Sequence, residues 1–143
     1  MDKTLIIASD HAGYALKRQL GSALAEWGFT VEDIGARSEE SVDYPDFGNA
    51  LARRVAAGAP PRGVLVCGTG IGIAIAANRH KGVRAAVCAG ATAARLSRRH
   101  NDANVLALGA RLIGLEVALD CLKIFLETPF DGGRHARRVA KLG

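Results

Sequence analysis

The sequence predicts an α/β domain of Rossmann-like type, a three-layer sandwich in which helices cover both faces of a five-stranded parallel sheet. Three observations support this prediction. Short apolar runs that end at Gly, Asp or Ser alternate with longer segments of helical periodicity, which is typical of βαβ units. The length of 143 residues suits a single domain over 1–143. Hydrophobic residues make up 49% and charged residues 23%, the balance of a globular chain rather than a disordered one.

The first strand and the first helix follow from one apolar run and one apolar face. Residues 4–8 (TLIIA) are predicted to form the strand. The helix is predicted over 12–27 and ends at Gly28, with Lys17 on its polar face. Its apolar face is formed by residues three or four apart: Leu16, Leu20, Leu24 and Trp27.

The remaining elements continue the alternation of strand and helix. They are predicted in this order: a strand over 30–34, a helix over 46–57, a strand over 63–67, a helix ending at 78, a strand over 83–88, a helix over 91–99, a strand over 105–108, a helix over 112–127 and a short helix in the tail beyond Pro129. Pro60 and Pro61 stop the second helix. The run GVLVC at 63–67 contains no polar residue, as expected for a strand covered on both faces.

Charge and cysteine content narrow the classes of partner. The formal charge of +5, from 19 Lys and Arg against 14 Asp and Glu, favours an anionic ligand, and the basic tail favours a small phosphate. Nucleic acid is not expected because basic residues are not interleaved with aromatic ones. No apolar stretch of about 18 residues could span a bilayer, so no membrane association is expected. Cys67, Cys88 and Cys121 form no CxxC pair, which favours a reduced, cytoplasmic setting.

A glycine-rich turn follows the third predicted strand and is the first candidate site. Its sequence, CGTGIG at 67–72, can direct backbone N–H groups toward an anion at a helix amino terminus. The alternative is a tight turn in which glycine merely permits a positive φ. The spacing fits neither a P-loop nor a dinucleotide-binding fingerprint. Cys67 lies where a parallel sheet binds ligands and is a candidate nucleophile or base, whereas Cys88 and Cys121 are predicted to be core residues.

Histidines mark two other candidate sites. Asp10 and His11 follow the first strand, although Asp10 could serve only as a helix cap. His100 and Asn101 lie in a polar segment before the fifth strand, where His100 could exchange protons with a sugar or simply stabilise a helix carboxyl terminus. In the tail, the four-residue spacing of Arg134 and Arg138 suits a phosphate, and a solvated basic tail is the alternative.

These segments together resemble one enzyme family. The blocks SDHAG (9–13), DYP (43–45), CGTGIG (67–72), HNDAN (100–104) and GGRH (132–135) occur in the order and spacing of type B ribose-5-phosphate isomerases, relatives of the galactose-6-phosphate isomerases. The resemblance covers nearly the whole chain. It implies isomerisation of ribose 5-phosphate to ribulose 5-phosphate without metal or cofactor. The same chemistry on allose 6-phosphate, galactose 6-phosphate or a tetrulose 4-phosphate stays open, because spacing does not reveal the depth of the pocket.

The resemblance also implies a role for each candidate residue. Cys67 would be the base that moves a proton between C1 and C2 of the sugar, as in the cysteine subgroup of the family, and Thr69 would help to stabilise the oxyanion. His100 would assist ring opening together with Asp10. The remaining residues would bind substrate: Gly68, Gly70, Ile71 and Gly72 through the turn, His11, Arg111, Arg134 and Arg138 at the phosphate, and Tyr44 and Asn101 along the sugar.

The predicted topology separates these residues. His100 and Asn101 precede the fifth strand, whereas Cys67 ends the third, so they should lie at opposite edges of the sheet. We therefore expect a homodimer with a site shared between subunits, and a tetramer is left open. A non-catalytic phosphate-binding or nucleotide-binding module is the main alternative from another class. Such a module has no need of a base and an acid, so the presence of Cys67, His11 and His100 argues against it.

Overall fold

The structure, a computed structural model, describes residues 2–143 and contains one five-stranded sheet. The strands are β1 Thr4–Ser9, β2 Thr30–Asp33, β3 Gly63–Cys67, β4 Ala85–Val87 and β5 Val105–Gly109. Their order is β2-β1-β3-β5-β4, and every neighbouring pair is parallel. The predicted α/β class with a five-stranded parallel sheet is confirmed.

Among residues 2–143, five helices cover the sheet, a sixth packs on the fourth, and two apolar cores lie between the layers. The helices are α1 Tyr14–Glu26, α2 Tyr44–Ala56, α3 Ile71–Asn78, α4 Ala91–Asn101, α5 Leu115–Glu127 and α6 Arg134–Ala140. One core joins the sheet to α1, α4 and α5 through side chains such as Leu20 and Phe125. The other joins it to α2 and α3 through Leu51 and Ile73. The predicted three-layer arrangement and the helical tail are therefore confirmed, and no helix among residues 2–143 is long and apolar enough to cross a membrane.

The fourth strand and the fifth helix are shorter than predicted, because local hydrogen bonds replace the regular ones at their ends. The fourth strand was predicted over 83–88, but Arg84 donates its N–H to the Asn104 side chain at 2.8 Å, and the strand is Ala85–Val87. The fifth helix was predicted from residue 112, but it begins at Leu115. The segment before it folds back, since the N–H of Arg111 donates to the carbonyl of Gly68 at 2.9 Å.

The placement of Lys17 on the polar face of the first helix was wrong. Only 1% of this residue is exposed. Its ammonium donates to a carboxylate oxygen of Asp33 at 2.7 Å and to the carbonyl of Ala36 at 2.6 Å. A buried charge needs such partners, and the loop after β2 supplies them. Lys17 therefore ties the start of α1 to the neighbouring loop.

The strand order decides which loops meet. β1 and β3 are adjacent, with Ser9 paired to Val66, and β5 lies on the other side of β3. The segments that follow β1, β3 and β5 therefore share the edge of the sheet at which these strands end, here called the carboxyl edge. The segment between α4 and β5 lies at the opposite, amino edge.

Candidate active site

Cys67 is the last residue of β3, and a backbone donor holds its thiol. Its Sγ accepts the N–H of Gly70 at 3.1 Å, and only 5% of the residue is exposed. This hydrogen bond fixes the position of the sulfur at the carboxyl end of β3. The sequence predicted a thiol at this edge, and the structure adds the Gly70 N–H that donates a hydrogen bond to it.

The three glycines of the turn have different reasons to be glycine. Gly70 has φ +77°, and a Cβ there would lie 2.9 Å from the carbonyl carbon of Leu108, so only glycine fits. A Cβ at Gly72 would lie 2.6 Å from the ring of Tyr44, and one at Gly68 would lie 3.3 Å from the guanidinium of Arg111. The simple turn explanation therefore accounts for Gly70 alone. The other two glycines let Tyr44 and Arg111 approach the turn.

The turn also leads directly into α3. Thr69 is exposed, and its Oγ1 accepts the N–H of Ile71 at 3.1 Å. The first N–H groups of a helix have no carbonyl acceptor within the helix, and the N–H of Gly72 is one of them. Backbone donors, a hydroxyl and a guanidinium therefore surround the mouth of the Cys67 site. This arrangement can stabilise an oxyanion next to the Cys67 thiol.

Asp10 and His11 belong to the same edge. The N–H of Asp10 donates to the carbonyl of Val66 at 3.2 Å, directly before Cys67. The Asp10 carboxylate accepts the N–H of Gly13 at 3.0 Å, so it does cap the turn that precedes α1. His11 Nδ1 accepts a backbone N–H at 3.1 Å, which leaves the proton of the neutral ring on Nε2 as a donor. We call the whole group the thiol half-site: Asp10, His11, Tyr44, residues 67–72 and Arg111.

The other candidate residues gather at the amino edge. His100 lies in the last turn of α4 next to Asn101, which ends the helix, and the His100 ring stacks on that of His135 with centroids 4.5 Å apart and planes 12° apart. A cavity of about 300 Å³ is lined by these three residues and by Arg138. Within residues 2–143, neither Arg134 nor Arg138 takes part in a salt bridge, so both remain available to an anion. We call His100, Asn101, Arg134 and Arg138 the histidine half-site.

A backbone hydrogen bond shows where the segment after His100 lies relative to Cys67. The carbonyl of Asn104 accepts the N–H of Gly63 at 2.9 Å, which places the segment after His100 beside the first residue of β3. Cys67 is four residues further along that strand, or about 13 Å at 3.3 Å per residue. The expectation that His100 and Cys67 lie at opposite edges of the sheet is confirmed. One subunit does not bring them together.

Sequence reasoning missed His135. It lies in the first turn of α6, and only the packing of α6 on α4 reveals its stacking on His100. Burial lowers the pKa of His135, and the positive charges of His100, Arg134 and Arg138 lower it further. No periodicity in the sequence signals this contact.

Cys88 and Cys121 are core residues, as predicted. Both are buried, and 2% of Cys88 and none of Cys121 is exposed. Burial, with a contribution from Cys121, raises the pKa of the Cys88 thiol to about 11. Burial also raises the pKa of Cys121. These thiols stay protonated near neutrality and pack as small apolar groups.

Known proteins resemble this chain over nearly its whole length. Residues 5–142 match the family described as Ribose/Galactose Isomerase. Ribose-5-phosphate isomerase B of Escherichia coli (strain K12) is 45% identical over 137 residues, which are 96% of this chain and 92% of that protein. The solved structure of ribose-5-phosphate isomerase B from Clostridium thermocellum has a TM-score of 0.97 at 53% identity, with 98% of this chain and 95% of that one covered. The Mycoplasma genitalium enzyme, solved with bound ribulose-5-phosphate, has a TM-score of 0.93 at 39% identity and covers 97% and 93%.

Proposed function

The chain belongs to the ribose/galactose isomerase family, and from this premise we infer that it is an aldose–ketose isomerase that interconverts D-ribose 5-phosphate and D-ribulose 5-phosphate. The observation that carries this inference is the similarity, over nearly the whole chain, to ribose-5-phosphate isomerases B, one of which was solved with ribulose-5-phosphate bound. The reaction moves a proton between C1 and C2 through an enediolate. It needs a base, donors for an oxyanion and a grip on the phosphate.

Cys67 is the proposed base. The N–H of Gly70 donates to Sγ and holds the sulfur at the turn, and Thr69 with the N–H groups of the turn would stabilise the enediolate oxygen that lies closest to them. In the direction of ketose formation, Cys67 would take the proton from C2 and return it to C1, while the proton of the O2 hydroxyl is lost and O1 gains one. Asp10 and Tyr44 would position the open-chain sugar over the turn.

Exchange of substrate hydrogen with solvent tests the base directly. In D₂O, ribulose 5-phosphate should gain deuterium at C1 with the native enzyme and none with Cys67→Ala, which should still bind the sugar phosphate. Cys88→Ala is the matched control, because Cys88 is a buried thiol outside the site. Exchange at the native rate in Cys67→Ala would refute the role of Cys67. Binding without exchange in the native protein would favour a non-catalytic phosphate-binding module.

His100 is the proposed group for ring opening, with Asn101 beside it on the sugar. Ribose 5-phosphate is a furanose, whereas ribulose 5-phosphate is open-chain because its C5 hydroxyl is esterified. Loss of His100 should therefore slow turnover of ribose 5-phosphate and spare the exchange of deuterium into C1 of ribulose 5-phosphate. We expect this split for His100→Asn. Equal loss of both activities would instead place His100 in the proton transfer.

The phosphate is proposed to lie between basic groups of both half-sites. His11 offers its Nε2–H, and Arg111 lies at the turn, while Arg134 and Arg138 project from α6. Guanidinium groups bind phosphate oxygens in pairs, and the spacing on α6 allows this. Arg138→Ala should raise KM for the sugar phosphate more than it lowers kcat.

A homodimer with shared sites follows from this proposal. The segment after His100 lies beside Gly63, which is about 13 Å from Cys67 along β3 by the rise of a parallel strand, whereas the reacting atoms of one pentose lie within a few ångströms. Each site would combine the thiol half-site of one subunit with the histidine half-site of its partner across a two-fold axis. A tetramer would be built from two such dimers.

Subunit mixing tests the shared site. Chains carrying Cys67→Ala and chains carrying His100→Asn are each impaired with ribose 5-phosphate. If they are unfolded together and refolded, half of the dimers are mixed, and each mixed dimer has one intact site. Activity should recover to about a quarter of the native value. Sites formed within one subunit would give no recovery, and a fully active monomer would refute the proposal outright.

The choice of sugar and the cellular setting complete the proposal. Parallel measurements of kcat/KM on ribose 5-phosphate, allose 6-phosphate, galactose 6-phosphate and a tetrulose 4-phosphate would test the substrate. A higher kcat/KM on a six-carbon or four-carbon sugar phosphate would replace ribose 5-phosphate as the proposed substrate without changing the proposed chemistry. A catalytic thiol must stay reduced, and the three cysteines of the chain are all free, which supports a cytoplasmic enzyme.

A further inference from the structure

Three metal-ligating side chains outside the thiol half-site converge at the amino edge. One ligand atom from each of His100, Asp131 and His135 can be chosen so that all three lie within 4.8 Å of one another. The two imidazoles are stacked nearly parallel, with centroids 4.5 Å apart. The three residues come from the end of α4, the connection between α5 and α6, and the first turn of α6.

The backbone holds this cluster together. The N–H of Asp131 donates to the carbonyl of Arg99 at 3.1 Å, which fastens the α5–α6 connection to the end of α4 next to His100. The N–H of His135 donates to the carbonyl of Gly132 at 3.1 Å and closes the turn that leads into α6. The three side chains are thus carried by one connected piece of backbone. Their proximity therefore follows from the backbone and not only from the rotamers of three separate side chains.

The donor set selects a class of ion. Two imidazole nitrogens and one carboxylate are the ligands of open zinc sites, in which water or substrate takes the fourth position. Metal–ligand bonds of about 2.0 to 2.2 Å put neighbouring ligand atoms about 3.3 Å apart. To bind one ion, the side chains must therefore rotate so that their ligand atoms move about 1 to 2 Å closer together. All three side chains are at least partly exposed and can make them. Hard cations such as Mg²⁺ and Ca²⁺ prefer oxygen ligands and do not suit this set.

The surroundings argue for a weak and reversible site. Arg99 donates its Nε to the Asp131 carboxylate at 3.1 Å, so it shares one ligand. Arg134 and Arg138 add positive charge close to His135. These charges oppose a cation. An ion bound here would compete with the native ion pair and would not act as a permanent structural metal.

We propose that His100, Asp131 and His135 form a binding site for a zinc-like divalent transition-metal ion, and that the bound ion inhibits isomerisation of the furanose substrate by occupying His100. A nitrogen that coordinates a metal has no lone pair left to accept a proton. The inhibitory part rests on the proposed function of His100 in ring opening. The binding part does not, because it needs only the three side chains.

The first test measures binding of Zn²⁺ alone to the full-length protein by titration calorimetry, in a Cys67→Ser background that removes the reactive thiol. We expect one ion per chain, and more than about ten-fold weaker binding in His135→Asn, since even changes to groups behind a ligand cost about 10-fold or more. Asp131→Asn should weaken binding as well. His80→Asn is the matched control, because His80 is a partly buried histidine that bonds Asn49 outside the cluster. Circular dichroism establishes that each variant folds.

Unchanged affinity in both His135→Asn and Asp131→Asn would overturn the site. So would a loss of binding caused by Cys67→Ser alone. Binding of Co²⁺ offers an independent reading, because tetrahedral coordination by nitrogen and oxygen should give visible absorption bands that His135→Asn abolishes. Absence of these bands at saturation would contradict the proposed geometry.

The second test separates the inhibitory part from the proposed function. Zn²⁺ should inhibit turnover of ribose 5-phosphate by the enzyme with native Cys67, and Asp131→Asn, which leaves His100 and its stacked partner unchanged, should resist this inhibition. Exchange of deuterium into C1 of ribulose 5-phosphate should continue in the presence of Zn²⁺. Binding at the cluster without inhibition would overturn the inhibitory part. The metal-free exchange experiments on Cys67→Ala and His100→Asn judge the proposed function separately.

Discussion

Substitution of Gly70 by alanine gives the sharpest test of how the turn is built. At φ +77°, an L-residue costs about 1 to 2 kcal/mol. The new Cβ would also lie 2.9 Å from the carbonyl carbon of Leu108 and 3.2 Å from the backbone nitrogen of Gly109. Both belong to the buried strand β5, which cannot easily move, so overpacking adds about 1 to 3 kcal/mol. We expect Gly70→Ala to lower the free energy of unfolding by about 2 to 5 kcal/mol.

Gly82→Ala is the matched control for this substitution. Gly82 has φ +85°, but a Cβ there meets nothing within 4 Å, so only the backbone cost of about 1 to 2 kcal/mol applies. Urea unfolding followed by circular dichroism measures both variants. The difference between them isolates the close approach of the turn to β5.

Turnover of the same two variants links the turn to the chemistry. Displacement of the turn would move its backbone N–H groups, including the one that Gly70 donates to Cys67 Sγ, and loss of one preorganised donor to an oxyanion costs on the order of 10²-fold in kcat. Gly82→Ala should keep native turnover. If the two variants unfold at the same urea concentration and turn over alike, the explanation of the turn is wrong.

Three other predictions concern particular side chains. Gly68→Ala should push the guanidinium of Arg111 away from the turn, because the new Cβ would lie 3.3 Å from it. KM for ribose 5-phosphate should then rise with little change in the urea midpoint of unfolding. An unchanged KM would contradict a role of this contact in binding. Cys88, whose pKa burial raises to about 11, should resist iodoacetamide at pH 8 until urea unfolds the protein, and mass spectrometry of the labelled peptides checks this. Glu32 accepts two hydrogen bonds from Arg54, and these lower the pKa of Glu32 below its ordinary value of 4.5. The pair therefore stabilises the fold fully at a pH above 4.5, and this stabilisation is lost as the pH falls through the lowered pKa. Glu32→Gln should reduce the urea midpoint at pH 7 and reduce it progressively less in acid.

Most of the fold was predictable because its signals are local. Alternating apolar runs and helical faces gave the five strands and six helices in the right order. The errors lie at element ends, such as residues 112–114, where the backbone folds back to bond Gly68. Lys17 was misplaced for a related reason. Its position on the helix is polar by sequence, but its acceptors come from the loop after β2, which periodicity cannot reveal.

The candidate residues were also predictable, whereas their grouping was only partly so. Cys67 and the turn could be placed at the carboxyl edge because strand ends are visible in the sequence. The same reasoning put His100 at the opposite edge. The contacts of Arg111 and Tyr44 with the turn depend on the absence of Cβ atoms at Gly68 and Gly72, and this required coordinates.

By itself, the sequence determined the α/β class, the family and the candidate site residues, because these depend on local apolar patterns and on motifs contiguous in the chain. Tertiary structure alone decided the burial of Lys17, the N–H of Gly70 on the sulfur of Cys67, and the meeting of His100, Asp131 and His135. Such contacts require groups from different parts of the chain to lie within a few ångströms of one another. Packing of whole helices and loops sets those distances, and no single stretch of sequence encodes it.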